Sequence, residues 1–189
     1  MPQVQLEFEE LQIHRGKKRW KLYFVIVAQH PEEEDKMIVT TTPDPFIRLK
    51  PKAENRIDFE PEGVGTDGFL VLKRDMPEDR KLNVRVYLRH SRKDTRTAGE
   101  FLQDMKDKLG ADAFDIITDV FGATNPWLVI AKKAVPFIGG VLANIKDRDF
   151  GMISAFEEFG PEFENQVEVD RSGKFSTGDA SLVWSWSID

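Results

Sequence analysis

The chain has 189 residues, 40% of them hydrophobic, which is the size and composition of one ordinary globular domain rather than of a disordered chain. Its formal net charge of −6 disfavours contact with phosphate backbones, so no nucleic-acid partner is expected. The absence of cysteine excludes disulfides, thiolate zinc sites and cysteine nucleophiles.

The first half of the chain is typical of β-strands. Residues 1–7 lack the cationic start and apolar run of a secretory signal, so cytoplasmic residence is expected. Alternation of apolar and polar residues begins at Val4 and predicts a strand. Residues 20–28 are apolar on both faces, which predicts a central strand covered on both sides. Further strands are predicted at residues 37–42, 56–60, 69–73 and 82–89, the last with one face towards solvent.

The spacing of apolar residues becomes helical near residue 100. It predicts helices over residues 101–109 and 113–121, and a third that begins at residues 125–126, where a capping asparagine precedes a proline. One apolar stripe is expected along this third helix, made of Trp127, Ala131, Ala134, Ile138, Val141 and Ile145. Pro136 and the pair at 139–140 should kink or divide the helix.

Strand patterns return after residue 149. They predict a strand at residues 166–170, a turn at 170–173 and a final strand in which Trp184 and Trp186 are core residues. The order strands, helices, strands differs from the alternation of a parallel doubly wound sheet. We therefore predict one domain of mainly β structure. It is an antiparallel β-sandwich, built from residues 1–99 and 147–189, that carries a helical insertion at 100–146.

Motifs that resemble known sites have simpler interpretations. Residues 63–68 have the glycine spacing of a dinucleotide-binding loop, but a strand rather than a helix follows, so we predict a turn. Asp147, Asp149 and Glu158 match three positions of a calcium loop whose turn glycine is missing. The histidines lack metal-ligand spacing. We accordingly predict no catalytic residue, no metal ligand and no cofactor.

Residues 82–99 combine a strand of alternating valines with a loop and the apolar–glycine pair Ala98–Gly99. This segment resembles part of the calcium- and lipid-binding β-sandwich domains of the synaptotagmin type, and Asp94 fits their acidic loop. Leu88 and His90 stand where that family has carboxylate ligands. The resemblance therefore implies a two-sheet fold without the calcium site.

The leading hypothesis is a non-enzymatic binding or assembly module whose partner is a protein or a second copy of the chain. Surplus apolar area on the helical insertion would supply the surface. Its members are Trp127, Ala131, Ile138, Val141 and Ile145.

Two alternatives stay open. In the first, residues 125–145 insert into a membrane surface, favoured by Lys132 and Lys133 beside the apolar stripe. The charges and glycines of this segment exclude a transmembrane helix. In the second, the protein is a hydrolase that uses two carboxylates in one cleft, with one pKa raised.

Overall fold

The computed structural model describes residues 2–15, 19–49, 55–59, 69–92, 97–109, 114–117, 127–132, 135–145, 147–165 and 168–189. In these ranges the chain is mostly β-strand, and the helices are short. The strands are β1 (Gln3–Ile13), β2 (Trp20–Gln29), β3 (Lys36–Leu49), β4 (Arg56–Asp58), β5 (Phe69–Asp75), β6 (Lys81–Leu82), β7 (Val84–His90), β8 (Phe114–Ile117), β9 (Trp127–Ala131), β10 (Arg148–Ser154), β11 (Glu157–Glu158), β12 (Glu168–Lys174) and β13 (Ala180–Ile188). The helices are α1 (Ala98–Leu109), α2 (Val135–Asn144) and α3 (Glu162–Asn165).

The described strands form two large antiparallel sheets. Sheet 1 has the order β12, β13, β1, β4, and β5 also pairs with β1. Sheet 2 has the order β10, β7, β2, β3, β9, β8, and β11 and β6 form a separate two-stranded ribbon. Apolar residues of both large sheets share one core. The predicted mainly β, sandwich-like fold with a small helical insertion is therefore confirmed.

Sheet 2 separates two apolar cores. Strand β2 shows this directly, because Leu22 and Phe24 enter the core between the sheets while Tyr23 and Val25 enter a second core on the opposite face. Helices α1 and α2 cover that opposite face. The prediction that residues 20–28 form a central strand, buried on both sides, is thus confirmed.

The final strand completes sheet 1 as predicted. Trp186 pairs with Leu6, and Trp184 pairs with Phe8, in the antiparallel register of β1 and β13. All four side chains are buried in the core between the sheets, and this burial confirms the two tryptophans as core residues.

The helical insertion differs from prediction in two places. Residues 98–109 are helical as expected, but residues 114–117 of the predicted second helix form β8. The predicted third helix is wrong in its first part, because residues 127–131 form β9, and it is confirmed at residues 135–144, which form α2. The run Trp127–Ala131 is rich in aromatic and β-branched residues, and it pairs with the edge of β3 at Lys36–Val39. Gly139 and Gly140 lie inside α2 and do not divide it.

Two further expectations are wrong. Strand β7 has no solvent-facing side at Tyr87 or Arg89, because the layer that contains α2 covers them. The turn predicted at residues 170–173 is part of β12. Gly173 permits close packing there, since a Cβ at this position would lie 3.3 Å from Cη2 of Trp184. The chain turns later, at Gly178, whose φ is 75°.

Candidate functional site

The residues of the predicted interaction surface fall on two different elements. Trp127 and Ala131 belong to β9, whereas Ile138 and Val141 belong to α2 and Ile145 follows it. Ile138, Val141 and Ile145 are buried in the second core of the chain itself. Ala131 is partly exposed. The predicted interaction surface therefore serves the domain's own packing at three of its five positions.

Each acidic residue of the calcium-like motif contacts a different partner within the domain. The hydroxyl group of Tyr23 donates a hydrogen bond to Oδ2 of Asp147 at 2.7 Å. Asp149 is in β10 and accepts a hydrogen bond from the backbone N–H of Gly151 at 2.9 Å. Glu158 lies 3.6 Å from the ammonium group of Lys81. Residues 63–68, the other glycine-rich motif, lie outside the described residues.

Another group of carboxylates lies on sheet 1. Glu9, Glu168 and Asp170 offer oxygens that all lie within 4.8 Å of one another. Glu168 and Asp170 are exposed and Glu9 is partly exposed. Exposed acidic groups often cluster without a cation, and we assign no metal to this one.

The chain has a polar cleft at one end of the sandwich, with a volume of about 420 Å³. Small-molecule sites fall in the range of ~300–1,000 Å³. Three separate parts of the chain form it: the end of β2 with the turn that follows, the end of β5 with the next turn, and the residue after β9. We call it the Arg74 cleft, and its lining residues are Gln29, His30, Pro31, Glu32, Glu34, Arg74, Pro77, Glu78, Asp79 and Lys132.

Arg74 is the buried cation of this cleft, with 4% of its surface exposed. It extends from sheet 1 to the backbone of the β2–β3 connection, where Nη1 donates to the carbonyl of Gln29 at 2.8 Å and Nη2 to that of Pro31 at 3.3 Å. Its Nε donates to the carbonyl of Asp75 at 3.2 Å. An arginine has five N–H donors, so two have no acceptor among the described residues.

Burial lowers the pKa of Arg74, because desolvation disfavours the charged guanidinium. The nearby charges of Asp75 and Asp79 oppose this shift and raise the pKa. Neither carboxylate, however, forms an ion pair with Arg74 in the described part of the chain. Backbone carbonyls, not counter-ions, therefore hold the guanidinium in place.

His30 fixes the turn that follows β2 and forms one side of the cleft. Its Nδ1 accepts hydrogen bonds from the backbone N–H groups of Glu32 and Glu33, at 3.2 and 3.1 Å. In the neutral ring the proton must then reside on Nε2, which becomes a donor. Lys36 hydrogen-bonds Glu33 and lowers the pKa of that carboxyl. The turn that borders the cleft is thus fixed by side chains at both of its ends.

The outer part of the cleft carries charges of both signs. Lys132 is exposed, and its backbone N–H donates to the carbonyl of Asp35 at 2.7 Å, which fixes the segment after β9 against the β2–β3 turn. The four lining carboxylates are also exposed: they belong to Glu32, Glu34, Glu78 and Asp79. The cleft therefore combines a buried cation with a predominantly acidic rim.

This cleft is not predicted by the sequence patterns. The strand predicted at residues 69–73 ends one residue before Arg74. Leu72 is buried in the core between the sheets, and Arg74 follows it on the same face of the strand. An arginine two residues after a core position in a strand was the available signal.

No known family model matches this chain, and no curated protein is significantly similar to it in sequence. Of the helices in the described ranges, none combines the length and apolar character that crossing a lipid bilayer takes.

Proposed function

We propose that this protein is a non-enzymatic binding module that receives an anionic group of its partner in the Arg74 cleft. One observation carries the proposal: Arg74, which is 4% exposed, lines a cleft of about 420 Å³ without an ion-pair partner in the described residues. The partner we infer is a peptide or a protein, including a second copy of the chain.

A buried guanidinium favours an anion for two reasons. Its charge is poorly hydrated, so a carboxylate or phosphate gains a stronger interaction there than with a lysine in solvent. The two N–H groups without acceptors among the described residues leave donors for an anion. Lys132 adds a second positive charge near the opening, and its exposure makes its contribution smaller.

The exposure of the lining carboxylates supports binding rather than catalysis. A carboxylic acid that donates a proton in glycoside hydrolysis has its pKa raised by an apolar environment. All four acids of the cleft are solvent-exposed instead. This arrangement lacks the desolvated acid that the hydrolase alternative requires.

The experiment uses two probes that differ only in charge, Nα-acetyl-L-norleucine and its amide. Each is titrated into the ¹⁵N-labelled protein while the backbone amide signals are followed. We expect saturable shifts at Gln29, Glu32 and Asp75 with the carboxylate and none with the amide, and recovery of the probe chemically unchanged. Equal shifts with both probes, or no shifts with either, would contradict the proposal.

Variants link the binding to the cleft. Lys132→Ala should weaken binding of the carboxylate by about twofold to fivefold, the effect of losing one exposed charge pair. Lys108→Ala is the matched control, because this lysine is also exposed but lies on α1, outside the cleft. An equal effect of both variants would indicate a general charge effect and overturn the assignment to the cleft.

A further inference from the structure

We propose that the ligand of the Arg74 cleft carries a cationic group next to its anionic one, as a basic amino acid or the C-terminal lysine or arginine of a peptide does. The inference rests on the proposed function and specifies its ligand. It comes from the distribution of charge between the interior of the cleft and its rim.

The interior and the rim of the cleft attract ligand groups of opposite charge. Arg74 is buried, whereas Glu32, Glu34 and Glu78 are exposed at the opening. None of these three glutamates has an ion-pair partner among the described residues. A ligand with only negative charge would gain from the guanidinium but would be repelled by the rim.

The formal charges of all the lining residues lead to the same conclusion. With His30 neutral, they carry two formal positive and four formal negative charges. The surplus is negative, so a cation on the ligand offsets the repulsion that its carboxylate meets from the rim. The positions of the charges also set the orientation: the carboxylate points inward to Arg74, and the ammonium or guanidinium group points outward to the glutamates.

The dimensions of the cleft suit such a ligand. About 420 Å³ exceeds the volume that one carboxylate requires and admits a whole amino-acid residue with a long side chain. In lysine and arginine, a flexible aliphatic stem separates the carboxylate from the cation. That separation matches a buried cation on one side and exposed carboxylates on the other.

The test compares Nα-acetyl-L-lysine with Nα-acetyl-L-norleucine, which has the same backbone carboxylate and an uncharged side chain. Binding is measured at low ionic strength by the same amide shifts. We expect the lysine probe to bind about fivefold more tightly, and we expect most of this difference to disappear at high salt, because exposed charges are screened. Equal affinities would overturn this inference and leave the proposed function intact. Absence of binding by both probes would overturn both.

A variant on the rim assigns the preference to particular residues. Glu78→Gln should reduce the advantage of the lysine probe and leave the affinity for the norleucine probe unchanged or slightly higher. Glu164→Gln is the control, since this exposed glutamate lies on α3, outside the cleft. If Glu78→Gln weakened both probes equally, the inferred contact between rim and cation would be wrong.

Two sources supply this chemistry, a free basic amino acid and the end of a peptide. Titration with L-lysine and with a tetrapeptide ending in lysine separates them. Tighter binding of the peptide supports both the inference and the peptide or protein partner. Tighter binding of L-lysine supports the inference and contradicts that partner, because the ligand would then be a free amino acid. A peptide with internal lysine and a C-terminal amide lacks the carboxylate, and equal binding of that peptide would overturn it.

Discussion

Nη2 of Arg89 lies 2.7 Å from the carbonyl oxygen of Leu142, so that a buried arginine of sheet 2 closes the C-terminal end of α2. The same nitrogen donates to the carbonyls of Ile145, at 3.2 Å, and Asp147, at 3.1 Å. The last carbonyls of a helix have no partner within the helix. The carbonyl of Leu142 also accepts from the backbone N–H of Ile145 at 3.0 Å, and that of Ile145 accepts from the backbone N–H of Asp147 at 2.7 Å. Arg89 adds a donor from 53 residues away in the sequence and so attaches the insertion to the sandwich.

Replacing Arg89 should strongly destabilise the protein. Arg89→Met keeps much of the volume but removes a donor from three carbonyls, two of which keep a backbone donor, and we expect the free energy of unfolding to fall by about 2–3 kcal/mol. Urea denaturation measures it. Arg92→Ala, at an exposed position nearby, should change stability by less than about 0.5 kcal/mol. A loss below about 1 kcal/mol for Arg89→Met would show that the backbone donors of Ile145 and Asp147, together with water, satisfy these carbonyls without the arginine.

Two glycines with positive φ provide a matched pair. Gly151 has φ 94° and Gly178 has φ 75°, so alanine is strained at both. At Gly151 a Cβ would also collide with Oγ of Ser176 and lie 2.9 Å from its backbone nitrogen, while nothing lies within 4 Å at Gly178.

We therefore expect Gly178→Ala to lower the free energy of unfolding by about 1–2 kcal/mol, the effect of backbone strain alone. Gly151→Ala should cost at least about 1 kcal/mol more because of the collision. Thermal and urea unfolding of the two variants provide the comparison. Equal losses would mean that the segment around Ser176 moves aside without penalty.

The strands of the sandwich could be predicted because the spacing of apolar residues along each strand shows which of its faces are buried. Strand β2 is the clearest case, with Phe24 facing one core and Val25 the other. Residues 127–131 were misassigned because a short apolar run suits a helix and a buried strand equally well. The deciding interaction is non-local, the pairing of this run with Lys36–Val39. Nothing within the segment itself encodes that pairing.

The cleft could not be predicted from the sequence for a related reason. Gln29, Arg74 and Lys132 line one cavity but come from three distant parts of the chain. Arg74 follows a core position in β5, but nothing in the sequence around any of the three residues indicates the other two, and only the packing of sheet 1 on sheet 2 brings them together. Arg89 was expected on a solvent-facing side because the covering layer belongs to the misassigned insertion.

The cluster around Arg171 should give the protein a defined acid sensitivity. Arg171 donates from Nε and Nη2 to Glu157, at 3.0 and 3.1 Å, and from Nη2 to Glu162 at 2.9 Å. The hydrogen bond from Arg171 lowers the pKa of Glu162 below its ordinary value of 4.5. A depressed carboxyl pKa stabilises the folded state above the unfolded-state pKa, and this contribution is lost as the pH falls through the folded-state value.

Arg171→Met should consequently lower Tm at pH 7, and its difference from the unmodified protein should shrink as the pH falls from about 4.5 through the lower folded-state pKa of Glu162. Lys174→Met, at an exposed site on the same strand, should show little difference at either pH. A Tm difference for Arg171→Met that is constant between pH 7 and pH 3 would show that packing, not charge, is responsible.

Arg74 should matter for stability as well as for binding, because it joins the two sheets. Arg74→Met removes the donors to Gln29 and Pro31, and we expect a loss of about 2–3 kcal/mol in the free energy of unfolding. A ligand stabilises only the form that binds it. Nα-acetyl-L-norleucine near saturation should therefore raise the urea midpoint of the unmodified protein and of Lys108→Ala, but not that of Arg74→Met. An equal rise in all three proteins would place the carboxylate away from Arg74.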